Sequence, residues 1–259
     1  MKNTTKIAFI ILLCFTGMHY LKAQTRVIAH RGFWNTENSA ENSISALINA
    51  QNLGIYGSEF DVWITSDDIA VINHDKDIDK MVIEKTPYAK LKDCKLKNGE
   101  KLPTLDEYLT AGAKDKNTKL ILEIKPHSTK EKEKKAVKVI LDMVGEKKLW
   151  DQVEFISFSL NICKEIQRLK PEAMILYLEG DLSPAQVKEL GLSGIDYSYK
   201  VYLKEKSWLE EAKEIGLITN VWTVDNVHMM KSFISRGIDF ITTNQPDTFL
   251  EVTKEDNPD

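Results

Sequence analysis

The sequence predicts an α/β chain folded as a (β/α)8 barrel. Short runs rich in Val, Ile and Leu alternate with stretches of helical spacing, in eight strand–helix units with one extra strand. About 236 residues remain once the first 23 are set aside, a length that suits one barrel domain. A doubly wound open sheet is the competing fold. It would want a Gly-rich phosphate turn, and no G-x-G-x-x-G occurs in the chain.

Residues 1–23 are predicted to be a cleaved secretory signal peptide. Lys2 and Lys6 precede an apolar run, Ile7 to Phe15, far shorter than the roughly 20 residues that span a bilayer. Ala23 offers a small residue at a cleavage point. Leu13 is too large to precede a lipidated Cys14, so neither lipidation nor stable membrane insertion is expected. The domain is then 24–259, periplasmic or secreted from a bacterium. Without the three lysines of residues 1–23, the 35 basic residues become 32 against 39 acidic, a net charge of −7. Such a balance argues against a nucleic-acid partner. Anionic substrates must be attracted locally. Cys94 and Cys163 do not make a disulfide framework for a chain of this size.

The elements follow in order. Val27-Ile28-Ala29 is strand one. Asn38 and Ser39 are capping residues ahead of a helix over Ser39–Gln51, with Ile44, Leu47 and Ile48 on one side. Ser58–Ile64 is strand two, and Ile69–Asn73 returns beside it as an extra strand. Residues 75–102 form a short polar insertion without a continuous apolar stripe, expected to be a thin, mobile cover over the mouth. Pro103-Thr104 opens a helix to about Ala113, and Lys119–Ile124 is strand three. A Lys/Glu-rich helix over 130–145 precedes strand four at Glu154–Phe158. Leu160–Leu169 is a helix stopped by Pro171, and strand five is Met174–Leu178. Ser183-Pro184 caps the next helix, and strand six is Gly194–Tyr197. A single helix over Leu203–Ile215 ends at Gly216, and strand seven is Leu217–Thr223. Val227–Arg236 is a helix closed by Gly237. Strand eight, Asp239–Thr242, is followed by Pro246 and a short terminal helix.

Four strand endings carry chemistry-bearing residues, and a barrel aims such endings into one mouth. They are His30-Arg31-Gly32, Glu59-Phe60-Asp61, His74-Asp75 and Glu123-Ile124-Lys125. Glu59 and Asp61 are two apart, so they share a strand face and repel unless a cation lies between them. With Glu123 they make a hard oxygen set that suits Ca²⁺ or Mg²⁺ better than Zn²⁺. His30 and His74 suit proton transfer near neutral pH. Arg31 and Lys125 suit the charge on a phosphoryl oxygen. Each residue alone has a plainer explanation: a structural hydrogen bond for a His, an ion pair for Glu123 and Lys125. Their coincidence at four endings points to phosphodiester cleavage. His127, His228 and the charged run 130–135 show no such coincidence.

These motifs resemble the glycerophosphodiester phosphodiesterases. The matching segments are His30-Arg31-Gly32, Glu41-Asn42-Ser43, Glu59-Phe60-Asp61-Val62, His74-Asp75, Pro103-Thr104-Leu105, Glu123-Ile124-Lys125, Val221-Trp222-Thr223-Val224 and Gly237–Thr242. The resemblance implies a TIM-type barrel that hydrolyses small-molecule glycerophosphodiesters to glycerol 3-phosphate and an alcohol, in glycerophospholipid breakdown. It also implies a divalent cation, Ca²⁺ or Mg²⁺, held by Glu59, Asp61 and Glu123, with Glu41 a further residue near it. His30 and His74 would be the acid/base pair, Arg31 and Lys125 phosphate contacts, and Trp222 an apolar wall for the glycerol part. Two positions depart from the family pattern. Ala40 stands where a Pro usually precedes the Glu-Asn pair, and Lys76–Val82 replaces the usual continuation after His74-Asp75. A phospholipase acting on lysolipid or lipid at a membrane would want an exposed apolar lid. A non-catalytic phosphodiester-binding barrel would lack one of the His or carboxylate residues.

Overall fold

The computed structural model describes residues 24–255. The segment predicted as a signal peptide lies outside them. From the N-terminus come β1 (Arg26–Ala29), α1 (Ile44–Asn52), β2 (Gly57–Ile64) and β3 (Ala70–Ile72). The insertion holds a small ribbon, β4 (Asp77–Ile78) and β5 (Met81–Val82), a 3-10 turn over Ile83–Lys85 and the single helical turn α2 (Tyr88–Leu91). After α3 (Leu105–Gly112) come β6 (Lys119–Ile124), α4 (Lys130–Glu146), β7 (Val153–Ser157) and α5 (Leu160–Leu169). Next are β8 (Ile175–Tyr177), α6 (Pro184–Glu189), β9 (Gly194–Ser198), α7 (Tyr199–Lys204) and α8 (Trp208–Glu214). The chain ends with β10 (Ile218–Trp222), α9 (Val227–Arg236), β11 (Phe240–Thr243) and α10 (Pro246–Glu255).

Eight parallel strands close on themselves in the order β1, β2, β6, β7, β8, β9, β10, β11, with β11 returning to β1. This is the predicted TIM barrel. The extra strand β3 runs antiparallel along the end of β2, pairing Val62 with Ile72 and Ile64 with Ala70.

Alternation along each strand divides the core in two. Phe60, Val62, Leu120, Leu122 and Phe155 face outward and pack beneath the helices. Ile28, Ile121, Ile156, Leu176, Leu178 and Phe240 face inward and fill the barrel. The interior is tight. A Cβ on Gly194 would lie 2.2 Å from the carbonyl oxygen of Ile218, so only glycine fits that point of β9.

Three local differences from the sequence-based expectation have identifiable causes. First, α1 starts at Ile44 rather than Ser39. Ser43 is the cap, its hydroxyl accepting from the Ala46 N–H, and Asn42 sits at φ +63°, where a right-handed helix cannot run. Second, the helix expected over 203–215 is two, α7 and α8, with a break at Glu205. Third, the insertion is not the thin cover expected but carries a small core of its own. Ile83, Leu91, Cys94 and Leu102 are buried against Trp63 and Val71, with Ile78, Met81 and Tyr88 packed around them. These residues come from separate turns, so they make no stripe in the sequence and converge only when the segment folds back on β2 and β3. Cys94 and Cys163 are both free and buried.

Candidate active site

The charged wall of the mouth is built from β1, β2 and β6. Arg31 leaves β1 in the left-handed region, φ +57°, and Gly32 follows at φ +78°. A Cβ on Gly32 would meet Ala46 at 2.7 Å, so the loop can lie flat on α1 only with glycine there. This turn points the Arg31 N–H at Glu59 Oε2, 2.7 Å away. The guanidinium lies between two acids, 3.4 Å from Glu41 Oε2 and 3.9 Å from Asp61 Oδ2. Glu41 is also 3.7 Å from Lys97 of the insertion.

Glu59, Asp61 and Glu123 come together as predicted. The parallel register pairs Asp61 with Glu123 across β2 and β6. All three are buried, and one oxygen from each lies within 4.8 Å of the others. Asn42 fixes Asp61 by a reciprocal pair: its amide donates to Oδ2 at 2.8 Å and its Oδ1 accepts the Asp61 N–H at 3.1 Å. Lys125 Nζ stands between the strands, 3.1 Å from Asp61 Oδ1 and 2.8 Å from Glu123 Oε1. The latter contact lies outside hydrogen-bond geometry, and Glu123 Oε1 has no hydrogen-bond partner.

These charges do not balance. Burial and the neighbouring acids push Glu59 well above the usual carboxylate range. Glu123 is pushed up to about 8 by burial and by Asp61, against the pull of Lys125. Burial also opposes ionisation of Asp61, but Lys125, His74, Asn42 and Arg31 outweigh it and hold that carboxyl low. One carboxylate is satisfied and two are not, an arrangement that a divalent cation would complete. The donor set therefore fits the predicted metal.

His30 and His74 reach the mouth in different settings. His30 Nδ1 is 2.8 Å from Asn244 Oδ1. Trp34 Nε1, which can only donate, points at the same oxygen at 3.3 Å, and Asn244 Nδ2 donates to Asp225 Oδ2 at 2.8 Å. These bonds fix the Asn244 amide and put the His30 proton on Nδ1, leaving Nε2 as a lone pair. Burial and the Arg31 charge lower the His30 pKa, partly offset by Asn244 and Asp61. His74 is more exposed, with its Nδ1 2.8 Å from the Asp75 carboxylate.

Trp222 stands on the opposite, apolar wall, edge-on to Phe158 with ring centroids 5.6 Å apart. Ile156, Leu178, Phe158 and Trp222 share a cavity of about 110 Å³ with His30, Arg31, Glu59, His74 and Glu123. A second cavity, about 220 Å³, opens on the other side of His74 between Glu41, Asp75 and Lys95–Lys97. Every residue expected at the site thus lines or borders one mouth.

The motifs did not expose Asn42 as the clamp on Asp61, the Asp225–Asn244 pair behind His30, or Asp196 inside the inner cavity. Asn244 follows the last barrel strand, so the rule that strand endings carry the site, applied to β11, would have found it. His127, to which no role was given, is structural: Nδ1 donates to the Lys125 carbonyl and Nε2 accepts the Ile64 N–H.

Residues 30–248 match the model of the glycerophosphoryl diester phosphodiesterase family. A glycerophosphodiester phosphodiesterase of Caldanaerobacter subterraneus subsp. tengcongensis is 29% identical over 250 residues, 90% of this chain and 99% of that protein. The crystal structure of a glycerophosphodiester phosphodiesterase from Parabacteroides distasonis is 46% identical, with a TM-score of 0.89. It covers 91% of this chain and 99% of its own. A phosphodiesterase of Oleispira antarctica, solved in complex with the product sn-glycerol-3-phosphate, shares the fold at a TM-score of 0.76 and 24% identity. The match covers 89% of this chain and 97% of that one.

Proposed function

The chain belongs to the glycerophosphoryl diester phosphodiesterase family and is a phosphoric diester hydrolase; from that premise we propose that it uses a divalent cation and two histidines to convert glycerophosphodiesters to glycerol 3-phosphate and an alcohol. The observation that carries this reading is the cluster of three buried carboxylates beside Arg31, Lys125 and two histidines. Glu59, Asp61 and Glu123 hold the cation, and hard oxygen donors favour Ca²⁺ or Mg²⁺. Bound there, the cation supplies charge stabilisation for the phosphoryl oxygens. Arg31 adds a guanidinium to the same oxygens. Lys125 donates to Asp61 and lies close to Glu123, and its ammonium has further N–H groups to offer the phosphoryl oxygens.

His30 lines the inner cavity, kept neutral with Nε2 free, and suits the proton acceptor for the attacking hydroxyl. His74 lines both cavities, and its contact with the Asp75 carboxylate, 2.8 Å from Nδ1, orients the ring. It suits the donor to the alcohol that departs into the outer cavity. The glycerol part then lies in the inner cavity against Trp222. Export through the N-terminal 23 residues would put this chemistry in the periplasm or outside the cell.

The deciding experiment is turnover of glycerophosphocholine, followed by release of glycerol 3-phosphate. Activity should vanish with a divalent chelator and return with Ca²⁺ or Mg²⁺. Full activity in the metal-stripped protein, or no hydrolysis with either ion, would reject the proposal.

A further inference from the structure

We propose that Asp196 is the residue that recognises a hydroxyl of the glycerol part, and so sets the preference for a polyol phosphate over an alkyl phosphate; this rests on the function proposed above.

Asp196 sits on β9 and points into the barrel. It is 1% exposed, yet its Oδ1 has no hydrogen-bond partner. Leaving a buried carboxylate oxygen unpaired is costly, and a fold under no other demand would place an apolar residue there. The neighbours do not meet the need of Oδ1. Asn220, opposite in register, interacts with the carboxylate and draws its pKa down against burial, but its amide also donates to Thr242 Oγ1 at 2.8 Å and its oxygen accepts from the Val221 N–H, and Oδ1 stays without a partner. Trp222 Nε1 donates to the Asp196 backbone oxygen, not to the carboxylate.

The carboxylate does not belong to the metal cluster, which comprises Glu59, Asp61 and Glu123. It lines the inner cavity together with Ile156, Phe158, Leu178 and Trp222. A ligand anchored by its phosphate at the charged wall therefore meets apolar surface and one unpaired acceptor on the far side. A short polyol matches that pattern: its carbons pack on the rings and a hydroxyl donates to Oδ1. Burial raises the Asp196 pKa to about 7, so no full countercharge is demanded of the ligand. A hydroxyl is sufficient.

The test is calorimetric binding to the metal-loaded full chain, comparing wild type with Asp196→Ala and the near-isosteric Asp196→Asn. The probes are glycerol 3-phosphate, propyl phosphate (which lacks both hydroxyls) and phosphoethanolamine (which replaces them with an ammonium). Wild type should bind glycerol 3-phosphate at least about tenfold more tightly than propyl phosphate. Asp196→Ala should erase that preference by weakening glycerol 3-phosphate, leaving propyl phosphate within about twofold, with a melting temperature no lower than wild type. Asp196→Asn, which keeps an acceptor, should fall between. A preference that survives Asp196→Ala, or one absent from wild type, overturns the assignment. So does a loss that falls on phosphoethanolamine instead. Wild type that shows the expected binding pattern but fails to hydrolyse glycerophosphocholine upholds the role of Asp196 and rejects the proposed reaction.

Discussion

The two walls of the mouth are built on opposite plans. On the β1–β2–β6 side the charged groups lean on one another: Asp61 is held by Asn42, Lys125 and Arg31, and Glu59 by the Arg31 N–H. On the β7–β10 side Ile156, Phe158, Leu178 and Trp222 offer shape, with one carboxylate oxygen, Asp196 Oδ1, unpaired among them. The difference teaches where each kind of control resides. The charged wall fixes the positions of the proposed reacting groups and leaves an excess of negative charge that a cation would offset. Under the proposed function the apolar wall would contribute fit, discriminating between ligands without touching the phosphate.

Removing a proton-transfer group should expose the contrast most strongly. His30→Ala and His74→Ala are each expected to lose about 10²–10⁴-fold in kcat on a substrate with an alkyl alcohol leaving group. The wild-type pH profile should be bell-shaped. His30→Ala should lose its acid limb and His74→Ala its basic limb. Trp222→Ala, on the opposite wall, should cost only about tenfold in kcat/KM and act alike on all glycerophosphodiesters. A histidine variant with normal turnover would move that residue from chemistry to structure.

Between these extremes lies Asn244, which touches His30 alone among the proposed reacting groups. Asn244→Ala is expected to cost on the order of ten- to a hundredfold in kcat, because the ring loses the bond that sets its tautomer. That bond also raises the His30 pKa. Its removal should shift the acid limb of the kcat/KM profile to lower pH, a change that simple loosening of the loop would not produce. An unchanged limb would mean that the Asp225–Asn244 pair supports only the fold.

The charged wall was largely legible in the sequence, because each of its members ends an apolar strand and the barrel rule then brings those endings together. His30, Glu59, Asp61, His74, Glu123 and Lys125 all signalled themselves in this way. Asp196 did not. One acid in the segment Gly194–Ser198 looks like a solvated position until closure of the sheet turns alternate residues of β9 into an interior. Asn244 and Asp225 were hidden because they act through another side chain, and Asn-Gln-Pro after a strand looks like an ordinary turn. The small core of the insertion was hidden for a different reason: its apolar residues are spaced by turns, with no helical or strand period to reveal them.

The smallest effect separates the two walls by their acids. Glu123 is raised from 4.5 to about 8 and Asp196 from 3.8 to about 7. A carboxyl whose pKa is raised in the fold stabilises it below the unfolded value and loses that contribution as pH climbs through the folded value. The metal-free protein should therefore lose stability from Glu123 between about pH 4.5 and 8, and from Asp196 between about 3.8 and 7. His30, whose pKa is lowered, acts in the opposite sense and weakens the fold as pH falls below 6.5, so variants must be compared at matched pH. A divalent ion held as proposed by Glu59, Asp61 and Glu123 would relieve Glu59 and Glu123 and make no bond to Asp196. At saturating Mg²⁺ or Ca²⁺ the melting-temperature gap between Glu123→Gln and wild type should no longer widen in favour of the variant as pH rises. The gap between Asp196→Asn and wild type should still widen in the variant's favour from pH 4 to 7, by on the order of a few degrees. If the ion flattened both gaps equally, the two walls would share one electrostatic site, and the division drawn between them would fail.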